Sequence, residues 1–126
     1  MKFWHFSEAA YPYLPPEDEF DSIRVTLPNR LVDPETSAAL WDRYLAEWQA
    51  ADESGTNVMI NEHHSTATCM NSAAPVVAGA LARLTKNARI LLLGNPVANR
   101  SDPVRVAEEM ALVDVLGHGR LEVGFV

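Results

Sequence analysis

A short polar cluster, Asn61-Glu62-His63-His64, directly follows the apolar segment 57–60. Histidine changes charge near neutral pH, so two histidines beside a carboxylate suit proton transfer or hydrogen bonding to a ligand. If 57–60 is a strand, side-chain alternation places Asn61 and His63 on one face of the sheet and Glu62 and His64 on the other. Only one histidine then points toward a ligand on a given face. The alternative is that both are structural, as helix caps or hydrogen-bonding partners.

Other residues with reactive side chains give weaker signals. His5 and Cys69 show no recognisable zinc-ligand spacing with the histidine pair, so we predict no metal site. Cys69 is the single cysteine, which rules out an intrachain disulfide, and no Lys or Arg flanks it to activate the thiol as a nucleophile. His118 follows the third predicted helix and is expected to be a surface cation.

Strand-like and helix-like segments alternate along the chain. Asp33-Pro34 and Asp102-Pro103 each combine a helix N-cap with a proline in the first turn. The predicted strands are 2–7, 57–60, 88–93 and 121–126, and the predicted helices are 34–54, 72–85 and 103–116. The segment 9–32 contains four prolines and an acidic cluster, and we expect a long loop that covers a binding site.

Alternating strands and helices predict parallel pairing, which two architectures provide. A small doubly wound sheet would be complete at this length, whereas a (β/α)8 barrel takes about 250 residues. The last strand leaves an apolar edge, and no glycine-rich phosphate loop follows the first strand. We therefore predict that residues 1–126 form one partial domain, the N-terminal half of a (β/α)8 TIM-type barrel with four parallel strands and three helices. In such a barrel the functional side chains follow the carboxyl ends of the strands, where His63 and Gly94-Asn95-Pro96 lie.

Composition excludes several classes of partner. The formal net charge is −7 for 126 residues, which disfavours nucleic acids and anionic membranes because both require a basic surface. The longest apolar segment, 73–84, is too short to cross a bilayer, and the first eight residues do not form a signal peptide. We expect a cytoplasmic location.

Four segments in this order resemble the bacterial luciferase-like family of flavin-dependent monooxygenases. They are Asn61-Glu62-His63-His64, Gly94-Asn95-Pro96, the run from Asp102 to Glu109 and the run from Leu116 to Gly124. The resemblance implies a (β/α)8 barrel that binds reduced FMN, or in some branches the deazaflavin coenzyme F420, at the carboxyl mouth. It also implies an oxidoreductase that uses O2 to oxidise a small organic substrate, a flavin reductase as the source of electrons, and a homodimer at full length.

The resemblance also implies roles for individual residues. His63 corresponds to the catalytic histidine, Glu62 and His64 to its neighbours at the cofactor, and Phe6 to an aromatic that lines the flavin pocket. The peptide bond from Gly94 to Asn95 falls where the family has a non-prolyl cis bond against the ring.

The sequence departs from the family in two respects. The groups that hold the flavin phosphate belong to segments that are absent here, so we expect this chain alone to be inactive. Val126 stands where bacterial luciferase has a reactive cysteine, which favours another oxygenase of the group. The remaining alternatives are a non-catalytic half-barrel subunit for binding or assembly, and a stand-alone doubly wound domain with another ligand.

Overall fold

The computed structural model describes all residues, 1–126, and shows strands and helices in alternation. The strands are β1 (Trp4–Phe6), β2 (Asn57–Ile60), β3 (Ile90–Asn95) and β4 (Leu121–Phe125). The helices are α1 (Pro34–Glu53), α2 (Ala74–Leu84) and α3 (Pro103–Leu116). Single 3-10 turns lie at Glu17–Glu19, Asn29–Leu31 and Val97–Asn99. The predicted set of four strands and three helices is confirmed.

The four strands form one sheet in the order β1-β2-β3-β4, and every neighbouring pair is parallel. Parallel partners share a face, so the pairing of Val58 with Ile90 and of Ile60 with Leu92 places these four side chains together. All four are at most 1% exposed and pack in one core with residues of all three helices.

The opposite face of the sheet carries the alternate residues, and no helix covers it. Phe6 pairs with Met59, and Met59 pairs with Leu91, so these side chains share this face, which we call the inner face. Phe6 is 44% exposed and Leu93 is 49% exposed. Helices on a single face are the arrangement of a (β/α)8 barrel, whereas a doubly wound sheet has helices on both faces.

The helices begin as the sequence predicts, with one exception. Asp33 accepts a hydrogen bond from the Thr36 N–H at 2.7 Å, and Asp102 accepts from the first turn of α3. The residue before α2 makes no such cap. The Ala74 N–H donates instead to Glu62 Oε2 at 2.7 Å, so a residue distant in sequence caps α2.

The long segment 9–32 is a loop, but it is anchored to the core. Ala9 and Tyr11 are at most 5% exposed. The Tyr44 hydroxyl donates to the Ala10 carbonyl at 2.7 Å, and the Asp33 N–H donates to the Tyr11 hydroxyl at 3.2 Å. The first part of the loop is therefore fixed against α1.

The end of β3 differs from the prediction. The sequence predicts that the strand stops at Leu93, but it continues to Asn95. The register with β4 shifts between Leu92 and Asn95, so the strand contains one extra residue. The expected non-prolyl cis bond is also displaced by one position, because it joins Leu93 to Gly94.

None of the three α-helices combines the length and the hydropathy needed to cross a membrane.

Candidate functional site

The cluster after β2 lies at the carboxyl ends of the strands, and its side chains separate into two groups. Asn61 Nδ2 donates to Glu8 Oε1 at 3.3 Å, and His63 Nε2 lies 3.7 Å from the same oxygen. His64 Nε2 lies 2.7 Å from Glu62 Oε1. The alternation predicted for β2 therefore continues past Ile60, and the two histidines have different carboxylate partners.

Glu62 is the most enclosed group of the cluster, since its side chain is 0% exposed. Arg100 Nη2 donates to both carboxylate oxygens, at 3.1 and 2.9 Å. His64 and the Ala74 N–H supply the remaining hydrogen bonds. A buried carboxylate needs such partners, and here they join β2, α2 and the segment before α3.

His63 borders a small polar cavity of about 170 Å³. The cavity is lined by residues that follow β1 and β2 and by the long loop, and they are Glu8, Arg24, Val25, His63, His64, Thr66, Thr68 and Cys69. The side chains of His63 and Glu8 are each about 40% exposed, so both reach the cavity. A ligand in this cavity would meet two histidines, one glutamate and one arginine.

Cys69 lies beneath the cavity and is 2% exposed. Its thiol is 3.7 Å from Asn61 Oδ1, and burial raises the pKa of Cys69. A thiol whose pKa is raised is a poor nucleophile near neutral pH.

Neither the side chain of Asn95 nor a Cβ placed on Gly94 would face His63. Asn95 is fully buried on the helix side of the sheet, where its Nδ2 lies 3.8 Å from Met110 Sδ in α3. A Cβ on Gly94 would lie 2.6 Å from Cγ1 of Val126. The extra residue in β3 explains this orientation, since it reverses the alternation before Asn95. Only the backbone of this segment lies at the carboxyl ends of the strands.

On β1, β2 and β3 the inner face provides an apolar surface next to His63, whereas in β4 the same row carries Glu122. Phe6, Met59 and Leu91 form a row across β1, β2 and β3, and Leu93 extends the surface toward the carboxyl ends. A flat aromatic ring can pack on such a surface, so these residues fit a flavin ring. No group of three or more His, Cys, Asp or Glu side chains is arranged so that it could hold a metal ion.

Sequence reasoning missed Glu8 and Arg100. Glu8 follows β1 by two residues, so the rule that functional groups follow strand ends pointed to it. Arg100 lies 38 residues from Glu62, and no local signal connects the two.

The comparisons with known proteins agree with this geometry. The Luciferase-like monooxygenase family matches residues 22–126. The alkanal monooxygenase beta chain of Vibrio harveyi is 41% identical over 66 residues, which is 52% of this chain and 20% of the relative. The oxygenase component of a flavin-dependent trigonelline monooxygenase from Acinetobacter baylyi is 31% identical over 96 residues, 75% of this chain and 26% of the relative. The chain thus spans about a quarter of the curated relatives it matches.

Solved structures show the same fold. The oxygenating constituent of 3,6-diketocamphane monooxygenase from Pseudomonas putida, in complex with FMN, aligns with a TM-score of 0.71 and 19% identity. The alignment covers 100% of this chain and 29% of that protein. A monooxygenase from Streptomyces bottropensis aligns with a TM-score of 0.65 and 28% identity over 70% of this chain and 27% of its own length. On the evidence of its motifs, its half-barrel fold and these matches, the chain belongs to the luciferase-like monooxygenase family.

Proposed function

We propose that residues 1–126 form the first part of a flavin-dependent monooxygenase that uses reduced FMN and O2 to oxidise a small organic substrate. The observation that carries the proposal is the position of His63, at the carboxyl ends of the strands and beside the open apolar inner face. Reduced flavin, when bound, supplies the electrons that activate O2. The trigonelline relative is named as flavin-dependent, which supports a flavin cofactor. We propose reduced FMN, with the deazaflavin F420 as the alternative.

His63 is the catalytic residue in this proposal. Its imidazole reaches the cavity and can donate or accept a proton at Nε2, close to the Glu8 carboxylate. Phe6 and the neighbouring apolar side chains would hold the ring and would exclude water from it. Gly94 and Asn95 contribute their backbone atoms at the edge of the site. Glu62 and His64 lie on the side of the chain opposite to His63 and stabilise the site from there.

The full-length protein has further proposed partners. The trigonelline relative is named as an oxygenase component, which supports a separate flavin reductase as the source of reduced flavin.

We also propose a homodimer, because α2 and α3 expose large apolar side chains on their outer surfaces. Val76, Leu112 and Val115 are 72%, 60% and 71% exposed. A cytoplasmic location is proposed because such a reductase and a reduced Cys69 both suit that compartment.

The test compares the full-length protein with its His63→Ala variant. We expect oxygen uptake and substrate oxidation that depend on reduced FMN, and a fall of about 100-fold in kcat for the variant. His118→Ala is the matched control, since His118 lies at the opposite end of the strands, and it should retain full activity. If FMN does not bind to the full-length protein, the oxygenase proposal fails, and a non-catalytic assembly role for the half-barrel replaces it.

A further inference from the structure

The polar cavity beside His63 contains one permanent cation, Arg24, whose side chain has no partner within the chain. Three other arginines, Arg89, Arg100 and Arg105, each pair with a glutamate. The guanidinium of Arg24 takes part in none of the salt bridges of the structure, and only its backbone N–H forms a hydrogen bond. Arginine carries its charge at every physiological pH, so Arg24 offers a full positive charge and five donors to a ligand.

The backbone that carries Arg24 is held in a closed turn. The Ser22 carbonyl accepts from the Thr26 N–H and from the Thr26 hydroxyl, both at 2.9 Å. The Thr26 hydroxyl in turn accepts from the Ser22 N–H at 3.1 Å, and the Arg24 N–H donates to the Ser22 hydroxyl at 3.3 Å. Leu27, the next residue, is 8% exposed and anchors the turn. Because the turn is already ordered, Arg24 can bind a ligand with little loss of backbone entropy.

Two threonines add a neutral donor to the same cavity. The hydroxyls of Thr66 and Thr68 lie 2.8 Å apart, and the Thr68 N–H donates to Thr66 Oγ1 at 3.1 Å. The bond between the hydroxyls uses one of their two hydrogens, so the other hydrogen remains free to donate. A guanidinium and a hydroxyl donor that line one cavity suit an oxyanion as ligand.

Glu8 is the one acid that lines the cavity, and its carboxylate is already engaged. Its Oε1 accepts from Asn61 Nδ2 at 3.3 Å and lies 3.7 Å from His63 Nε2. Glu8 and Arg24 form no salt bridge, yet both charges act on the Cys69 thiol: burial is the main cause of its raised pKa, Glu8 adds to the rise and Arg24 opposes it. The negative charge thus belongs to the His63 side of the cavity, and Arg24 is left for a ligand.

We propose that the substrate carries a carboxylate or sulfonate group and that Arg24 is the specificity-determining residue that binds it, with a hydroxyl of Thr66 or Thr68 as the second donor. The rest of the substrate then extends past His63 toward the apolar inner face. The assignment of this anion to the substrate rests on the proposed function, whereas the anion site itself follows from the cavity.

The test compares benzoate with benzamide, which has almost the same shape and no charge. Ligand-observed NMR titration of the full-length protein without flavin gives both Kd values. Benzoate should bind at least about tenfold more tightly than benzamide, since a charge-assisted pair with a guanidinium is stronger than a neutral hydrogen bond. In Arg24→Gln this preference should disappear. Arg30→Gln removes the same charge from an exposed position of the same loop, outside the cavity, and should retain the preference.

A second arm separates a substrate anion from the phosphate of the flavin. The Kd values of FMN and of riboflavin, which lacks the phosphate, should be the same in Arg24→Gln as in the wild type. Weaker binding of FMN alone would assign Arg24 to the flavin phosphate and overturn the proposal. Equal wild-type affinity for benzoate and benzamide, or an equal loss in Arg24→Gln and Arg30→Gln, would also overturn it. A benzoate preference that depends on Arg24 in a protein that does not bind FMN would refute the oxygenase proposal and retain the anion site.

Discussion

Asp52, at the end of α1, is a single residue whose hydrogen bonds contribute to the stability of the fold. Burial alone would raise the pKa of Asp52, but three backbone hydrogen bonds and the nearby Arg120 reverse the effect, and the pKa lies below its usual value. The N–H groups of Lys86, Asn87 and Ala88 donate to the carboxylate at 2.8, 2.8 and 2.5 Å. The ionised form of Asp52 therefore holds the loop that leads into β3.

We predict a pH-dependent effect of Asp52→Asn. A lowered pKa in the folded state gives a stabilisation that is present above about pH 4 and is lost as the pH falls through the folded value. The variant should be about 2 kcal/mol less stable than the wild type at pH 7, with a smaller difference near pH 2. Urea unfolding at both pH values measures this. Asp42→Asn, at an exposed position, should show almost no difference. An equal loss at both pH values would contradict the argument.

Arg120 connects three segments of the fold through hydrogen bonds of its side chain. Its guanidinium donates five hydrogen bonds at 2.7 to 3.1 Å, and the acceptors are the carbonyls of Ala82, Thr85, Ala88 and Gly117 and the hydroxyl of Thr85. These groups belong to the ends of α2 and α3 and to the segment that leads into β3. Arg120 thus uses every donor, and three of its acceptors are carbonyls at helix ends, those of Ala82, Thr85 and Gly117.

Arg120→Lys should be strongly destabilising despite the retained charge. A lysine has three donors on one atom and cannot reach carbonyls on different elements, so we expect a loss of about 3 kcal/mol. The midpoint and slope of urea unfolding give the value. Arg83→Lys, an exposed position in the last turn of α2, should change stability by less than about 0.5 kcal/mol. A similar loss in the two variants would show that the hydrogen bonds of Arg120 are not responsible.

The sequence predicted most elements because their signals are local. The two Asp-Pro pairs mark the starts of α1 and α3, and the apolar run in β3 has the composition of a buried strand. The end of β3 was not predictable, because the shift after Leu92 depends on β4, about 30 residues away. For the same reason the sequence indicated His63 but not Arg100, which reaches Glu62 only through the fold.

The two faces of the half-barrel sheet differ, because the helices cover only one of them. The strand alternation indicated a barrel, but only the structure shows that α1, α2 and α3 share one core on a single side of the sheet. The outer surface of α2 and α3 then remains as an exposed apolar region. A groove of about 310 Å³ runs between these helices, and its apolar wall includes Val76 and Leu112.

The variant Val115→Asp tests whether this surface forms the interface of the proposed dimer. Because Val115 is 71% exposed, the change should leave the fold intact but place a charge in the interface, and we expect the dimer Kd to rise at least about tenfold. Analytical ultracentrifugation of the full-length protein measures the Kd. Val25→Asp, at a 76% exposed position in the long loop, is the matched control and should leave the Kd unchanged. Equal dimerisation of the two variants would place the interface elsewhere.

The strand order has a consequence for synthesis on the ribosome. Each strand of the sheet pairs with the one made just before it, so every new strand can dock on an edge that already exists. No strand has to wait for a later segment to be inserted beside it, which avoids the slow closure of long loops. The nascent polypeptide can therefore acquire its helix-covered core stepwise, while the open edge of β4 stays ready to template the next addition.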